Sequence, residues 1–289
     1  MKLVRFESGG GVRVGVLEGE TIHDLSGAGP SFSDWVRAYG AGGSPEGLVA
    51  SVRRAMSASK KVPFDYKLLR APFVPSEIWA AGVTYLRSRE ARETETKMKG
   101  LYDYVYSATR PELFLKDSGL RCVGPGDPVC VRGDSTWSVP EPELSVVLDG
   151  AFRVVGYTVG NDVSSRDIEG ENPLYLPQAK VYRGSSAIGP VVTTADEIPE
   201  PRSLKISMRI LRESEPVFEG SVNTSQLKRE VDELVGYLRR SNLIRTFTVL
   251  MTGTSLVPPD SFTLKGGDVV EIEIEKIGIL RNPVEQLRA

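Results

Sequence analysis

Glu141 and Glu143 stand two residues apart in PEPELSVVLDG (140–150). In an extended chain that spacing turns both carboxylates to one side, and Pro140 and Pro142 hold the chain extended. Asp149-Gly150, between two apolar alternations, predicts a two-residue hairpin turn. Such a turn sets Leu148 opposite Ala151, Glu143 opposite Gly156 and Glu141 opposite Thr158. Even-numbered residues of the return strand then share the face of the two glutamates, Asp162 among them. A regular ladder leaves Asp162 about 13 Å from Glu141 at roughly 3.4 Å per residue, so the expectation includes a bend near Gly160-Asn161. Three carboxylates on one face repel unless a cation lies between them. Oxygen donors without imidazole or thiolate select a hard ion, Mg²⁺ first, with Mn²⁺ or Ca²⁺ as alternatives. The plain alternative is an exposed acidic loop.

The rest of the composition narrows the chemistry. His23 is the one histidine in 289 residues, so a two-histidine zinc site is excluded and carboxylates, lysine or hydroxyls must move protons. Cys122 and Cys130 form no CxxC pair, which disfavours thiolate metal sites and redox chemistry. With 36 Lys and Arg against 38 Asp and Glu there is no basic excess to meet a nucleic acid or an anionic membrane. No apolar run approaches the roughly 20 residues of a membrane span, and MKLVRFESGG shows no secretory signal, so a cytoplasmic protein is expected.

These residues need elements to hold them. LVRF, VRVGVL and TIHDL read as a short meander, and SFSDWVRAY and PEGLVASVRRAM as two helices, together a small N-terminal α+β domain over 1–70. The larger domain, 71–289, opens with a buried strand in EIWAAGVTY. SREARETETKMKGLYDYVYSA follows as a long solvated helix or lid. VVEIEIE alternates Val270, Ile272 and Ile274 inward with Glu271, Glu273 and Glu275 outward, while Leu227, Val231, Leu234, Val235 and Leu238 make one helical stripe. Strands outnumber helices and follow one another directly, which predicts a mainly β, α+β class built on an antiparallel β roll.

The segments GVTY (82–85), RPELFLK (110–116), PEPELSVVLDG, VGYTVGNDVSSRD (155–167), KVYRGSSAIGP (180–190), MTGTSLVPP (251–259) and LKGGDVVEIEIEKIGILRNPV (264–284) run in one order. In that order the chain resembles the fumarylacetoacetate hydrolase superfamily over about residues 70–289, and within it most resembles the branch of 2-keto-3-deoxy-pentonate dehydratases. The resemblance implies a β-sandwich roll, Mg²⁺ held by Glu141, Glu143 and Asp162, Lys180 near the metal, and a homodimer or homotetramer built on the large domain. Hydrolases of the family carry a GxNYxxH stretch whose histidine activates water. Here Thr84 and Ser88 take the places of the asparagine and the histidine. That substitution moves the expected chemistry from hydrolysis to dehydration of a small 2-keto sugar acid, with the product 2,5-dioxopentanoate.

On that reading Lys180 is the base or proton shuttle, its pKa expected to be lowered by a cation and partial burial. Glu112, in RPELF, is the second proton-transfer group. The bland alternatives are a solvated loop lysine and a surface glutamate. Thr254 and Ser255 offer hydroxyls to a substrate, and Arg87 and Arg89 are further carboxylate clamps in principle. Other readings are an acylpyruvate hydrolase, decarboxylase or isomerase on the same metal scaffold, or a noncatalytic sugar-acid binding protein.

Overall fold

The computed structural model describes residues 1–27, 45–95 and 99–289. The expected helix in SFSDWVRAY lies outside these. Among the described residues, twelve strands form one sheet and five a second. Across the large sheet, Lys2–Ser8, Ser186–Thr194, Val154–Asp162, Pro142–Leu148, Thr248–Met251, Glu77–Gly82 and Glu112–Asp117 lie side by side, the last as an edge. The 1–70 segment extends this sheet, pairing Lys2 with Thr193 and Leu3 with Val192. Pairing through the centre is antiparallel except between Thr248–Met251 and Glu77–Gly82.

The two sheets pack face to face, as the mainly β expectation requires. Leu144, Val146 and Leu148 share a buried cluster with Ile206, Met208, Ile210, Val270, Ile272 and Ile274. Val270, Ile272 and Ile274 are thus the inward members of the VVEIEIE alternation. The opposite face of the large sheet is covered too. Val147, Val155, Ile188, Val249 and Met251 pack there with Leu48 and Val52 of the helix Pro45–Ser57. Because odd-numbered residues of Pro142–Leu148 point to this second face, Glu143 is turned away from the sandwich core. Further along, the helix Val231–Arg239 buries Val231, Leu234, Val235 and Leu238. Leu227 is buried too, but it precedes that helix, behind a short 3-10 turn at Thr224–Gln226.

The hairpin corrects the expected register. Leu148 pairs with Val154, so the connection is five residues, 149–153, not the two of Asp149-Gly150. Asp149 explains the wider loop. It is fully buried, and its Oδ1 accepts from the N–H groups of Ala151 at 2.8 Å and Arg153 at 2.9 Å. Arg153 Nε donates to its Oδ2 at 2.8 Å, and Phe152 takes a left-handed φ of 62°. A carboxylate that captures two backbone donors wraps the chain around itself instead of leaving a tight primed turn.

The odd-length loop reverses the face of the return strand, and a bulge beside Val147/Leu148 reverses it again. Parity therefore survives while the register moves by four residues, so that Glu143 faces Gly160 instead of Gly156. Asp162 N donates to the Glu141 carbonyl at 2.9 Å, directly across the ladder. The bend expected at Gly160-Asn161 is not needed.

Asp149→Ala removes the side-chain acceptor of two loop N–H groups and the carboxylate paired with Arg153. It should lower unfolding free energy by about 2 kcal/mol or more, read as a lower urea midpoint; an unchanged midpoint would overturn the role given to this turn.

Candidate metal centre

Four short elements bring charge to the end of the hairpin. The helix Leu86–Glu95 contributes Arg92 and Glu95, Arg166–Glu171 contributes Arg166 and Glu169, Leu176–Lys180 ends in Lys180, and the edge strand supplies Glu112 and Lys116. The expected long helix after residue 86 is two helices, Leu86–Glu95 and Leu101–Ser107, the second starting behind Gly100 at φ 83°. The first is not purely solvated: Arg92 turns inward and is 7% exposed. Arg87 and Arg89 do not line the chamber; Arg89 instead pairs with Glu90 and Asp103.

Glu141, Glu143 and Asp162 come together. One oxygen from each lies within 4.8 Å of the others, and all three residues are buried. Their partners differ. Glu141 Oε1 accepts from Arg92 at 2.8 Å and from Arg166 Nε at 3.1 Å, and Oε2 accepts from Lys180 Nζ at 2.9 Å. Asp162 Oδ2 accepts from Lys180 Nζ at 3.1 Å. Among the described residues no cation pairs with Glu143, which accepts from the Gly253 N–H at 2.5 Å. Burial pushes the Glu141 carboxyl up, but Lys180, Arg166 and Arg92 together outweigh it and hold that group well below the usual range. Burial, then the neighbouring Asp162 and Glu141 charges, push Glu143 well above it. Burial also raises Asp162, although Lys180 and Lys116 oppose the shift.

The trio fits a hard divalent cation. All three donors are carboxylate oxygens, the chemistry Mg²⁺ prefers. Asp162 Oδ1 is buried, accepts no well-aligned hydrogen bond and has the Lys116 ammonium 3.3 Å away, whereas buried Glu143 has only the Gly253 N–H and is the carboxylate whose charge a bound cation would offset. The exposed-loop alternative is excluded for these residues by their burial.

Around the trio is a small chamber of about 30 Å³, room for roughly one water. Glu112, Lys180, Glu169, Ser88 and Thr254 line it. Glu112 is pushed up by burial and by Glu169, and it faces Gly82 across the ladder. Any side chain at Gly82 would begin 2.1 Å from Glu112 Oε2, so the glycine makes room for the carboxyl. Gly253, at φ 95°, leaves the same kind of room for Thr84 Oγ1, whose hydroxyl donates to the Thr252 carbonyl at 2.7 Å.

Lys180 corrects the expected titration. It is the last residue of a helix, 3% exposed, and Nζ also donates to Ser164 Oγ. Burial lowers its pKa, but Asp162, Glu141 and Glu169 outweigh that and raise it. In this arrangement the carboxylates hold it as an ammonium.

His23 is far from this chemistry, its Nδ1 3.1 Å from Ser59 Oγ on the N-terminal strand Thr21–Asp24. A larger cleft of about 740 Å³, lined by Lys2, Glu18, Arg53, Glu197 and Lys276, lies among the N-terminal strands; it shares no residue with the chamber, so its size does not make it the reaction site.

The structure brings Glu112, Glu141, Glu143, Asp162 and Lys180 together, and adds Arg92, Glu95, Lys116, Arg166 and Glu169, which the sequence did not single out. The available signal for Lys116 was the alternation of Glu112, Phe114 and Lys116 along one strand face. The arginines carried no local signal, because Arg92 meets Glu141 across 49 residues.

Residues 78–285 match the family model described as fumarylacetoacetate (FAA) hydrolase C-terminal, and residues 1–44 match Rv2993c-like, N-terminal. A probable 2-keto-3-deoxyxylonate dehydratase of Haloferax volcanii is 54% identical over 213 residues, 74% of this chain and 73% of that protein. A 2-dehydro-3-deoxy-D-arabinonate dehydratase of Saccharolobus solfataricus is 49% identical over 221 residues, 75% of this chain and 74% of that protein. The solved structure of a 2-keto-3-deoxy-D-arabinonate dehydratase complexed with magnesium and 2,5-dioxopentanoate superposes with a TM-score of 0.85 at 39% identity, covering 100% of both chains. By the extent of the family match and the identity of these relatives, the chain belongs to the fumarylacetoacetate hydrolase family.

Proposed function

We propose that this chain is a Mg²⁺-dependent hydro-lyase that dehydrates a 2-keto-3-deoxy-pentonate, such as 2-keto-3-deoxy-D-arabinonate, to 2,5-dioxopentanoate. The observation that carries the reading is a buried carboxylate trio flanked by Lys180 and Glu112 and free of imidazole, in a chain half identical to relatives bearing that activity. Glu141, Glu143 and Asp162 would hold the ion. Bound there, Mg²⁺ supplies Lewis acidity to the 2-keto group, which acidifies the adjacent C3–H.

The protein's own groups then divide the proton work. Lys180 Nζ takes the C3 proton, which requires that its ion pairs with Glu141 and Asp162 first be loosened so that the ammonium gives up its own proton to water. Glu112, whose carboxyl burial and Glu169 push up, gives a proton to the C4 hydroxyl as water departs. Tautomerisation through C5 completes the product. Thr254 lies on the chamber wall, where its hydroxyl accepts from the Leu256 N–H at 3.2 Å and donates to the Leu256 carbonyl at 3.4 Å. Hydrolysis lacks its base here. Thr84 spends its hydroxyl on the Thr252 carbonyl, and Ser88, which lines the chamber in the histidine's place, is far too weakly basic to activate water.

The large sheet's edge and exposed Leu115 and Leu120, 50% and 90% accessible, support assembly as a homodimer or homotetramer. No helix among the described residues is long and apolar enough to cross a membrane, and the reaction is assigned to the cytoplasm.

Three outcomes are expected. Glu143→Gln should weaken Mg²⁺ binding by about 10²-fold or more in calorimetry while the metal-free melting temperature changes little, since burial and the Asp162 and Glu141 charges already disfavour ionisation of this carboxyl and the amide keeps its shape; unchanged affinity would remove Glu143 from the ligand set. Lys180→Ala should cut turnover by roughly 10²- to 10⁴-fold with Mg²⁺ affinity kept or increased. Near-normal turnover would exclude Lys180, and a borohydride-trapped substrate adduct on it would replace proton transfer with imine chemistry. Light scattering at micromolar concentration should give a dimer or larger, and a monomer would refute the assembly.

A further inference from the structure

Alternate residues of a strand share a face, and the edge strand presents Glu112, Phe114 and Lys116 in this way. Glu112 and Phe114 line the chamber, and the Phe114 ring centre lies 6.0 Å from Lys180 Nζ. Lys116 sits behind them at 0% exposure and has no part in the proton transfers above. Its ammonium donates to the main-chain carbonyl of Lys180, to the Ser185 carbonyl at 2.8 Å and to Ser185 Oγ at 3.0 Å. It also stands 3.3 Å from Asp162 Oδ1, on the side of the carboxylate away from Lys180.

Those contacts are aimed at two weak points. The helix Leu176–Lys180 has only five residues, and the carbonyl of its last one has no acceptor role inside the helix. Lys116 supplies the donor that anchors it. Asp162 Oδ1, for its part, accepts no well-aligned hydrogen bond, and the Lys116 charge is what lies against it. One buried cation therefore ties the backbone of Lys180 to a carboxylate of the metal trio.

We propose that Lys116 is a positioning residue of this site, an inference that rests on the roles given above to Lys180 and Asp162. It holds the Lys180 main chain and the Asp162 carboxylate in one geometry, so that Nζ reaches the substrate's C3. A displacement of about 1 Å at such a group costs on the order of 10²-fold in rate. Lys116 is not there to strengthen metal binding. Its positive charge shares Asp162 with the ion and repels it, so removing the charge leaves Mg²⁺ affinity equal or tighter. A residue that merely kept the fold intact would lose affinity and rate together.

The test uses the full chain with Lys116→Met, which keeps an unbranched side chain one heavy atom shorter and removes the charge. Mg²⁺ affinity is measured by calorimetry without substrate. Exchange of C3 protons into D₂O is followed by NMR on 2-oxopentanoate, a 2-keto acid with no C4 hydroxyl, so that Lys180 is probed without dehydration. The expected result is exchange and dehydration kcat both about 10²-fold lower, KM within about threefold, and Mg²⁺ affinity unchanged or tighter. Exchange within about threefold of the unaltered protein, or exchange and affinity falling together, would overturn the proposal. If Lys116→Met melts without cooperativity, Ser185→Ala decides. That variant removes one acceptor of the ammonium, and it should slow exchange several-fold at constant Mg²⁺ affinity; normal exchange would overturn the proposal. Unaltered protein that exchanges C3 protons yet dehydrates no 2-keto-3-deoxy acid would overturn the substrate assignment and leave the result for Lys116 standing, whereas unaltered protein without exchange would overturn both.

Discussion

Negative charge withdrawn from water is the constraint on which this site is built. Glu141, Glu143 and Asp162 are each at most 4% exposed and lie within 4.8 Å of one another through their oxygens, and a buried carboxylate costs several kcal/mol, as an order of magnitude, unless a positive charge answers it. The answer is unequal. Glu141 has Arg92, Arg166 and Lys180; Asp162 has Lys180 and Lys116; Glu143 has one backbone N–H. Those inequalities divide the trio into a firmly ionised member and one that resists ionisation until a cation arrives. Four elements converge here, each bringing a cation into the interior, with Glu95 and Glu169 adding to the carboxylates that pair with Arg166 and Arg92.

Such charges need a frame that does not yield. The hairpin strand Pro142–Leu148 is buried at every position and paired on both sides, with Val154–Asp162 and with Thr248–Met251. Leu144, Val146 and Leu148 lock one face into the sandwich, while Ser145, Val147 and Glu143 occupy the other. A slip of one residue would send the carboxylates into the apolar core. The register is held from the far end, where Asp149 wraps the loop and a bulge restores the parity that the odd loop had reversed. Active-site geometry at one end of the hairpin thus depends on a carboxylate with no chemical role at the other.

Much of this was legible from residue patterns. The inward alternation of Val270, Ile272 and Ile274, the shared face of Glu141 and Glu143, and the side on which Asp162 falls follow from the period of two. The register itself was not legible, because Asp-Gly reads as a tight turn and nothing local announces that Asp149 will capture two donors instead. Lys180 was expected to be partly buried with a lowered pKa. Its actual state depends on Glu141 and Asp162, 39 and 18 residues away. Arg92, Arg166 and Glu169 were missed for the same reason: charged residues on short polar helices look solvated until the tertiary fold places carboxylates under them.

What the chamber lacks decides between the chemistries its family supports. Water activation for carbon–carbon cleavage needs a base near neutrality, and the chain's one imidazole is committed to the N-terminal strands beside Ser59. Ser88 stands at the wall in its place, and Thr84 is bound to the Thr252 carbonyl beneath Gly253. The titratable groups that do face the chamber are carboxylates, a tyrosine, an arginine and Lys180. Among them burial raises Glu112, while Asp162, Glu141 and Glu169 raise Lys180, and two of those three carboxylates belong to the trio that a cation would engage. On the function proposed above, a carboxyl and an amine lining one chamber are suited to removing a proton from one carbon of a keto acid and a hydroxyl from the next. That pairing needs no water as reactant and expels one as product, which is why loss of the family's imidazole is compatible with dehydration where it is not with hydrolysis.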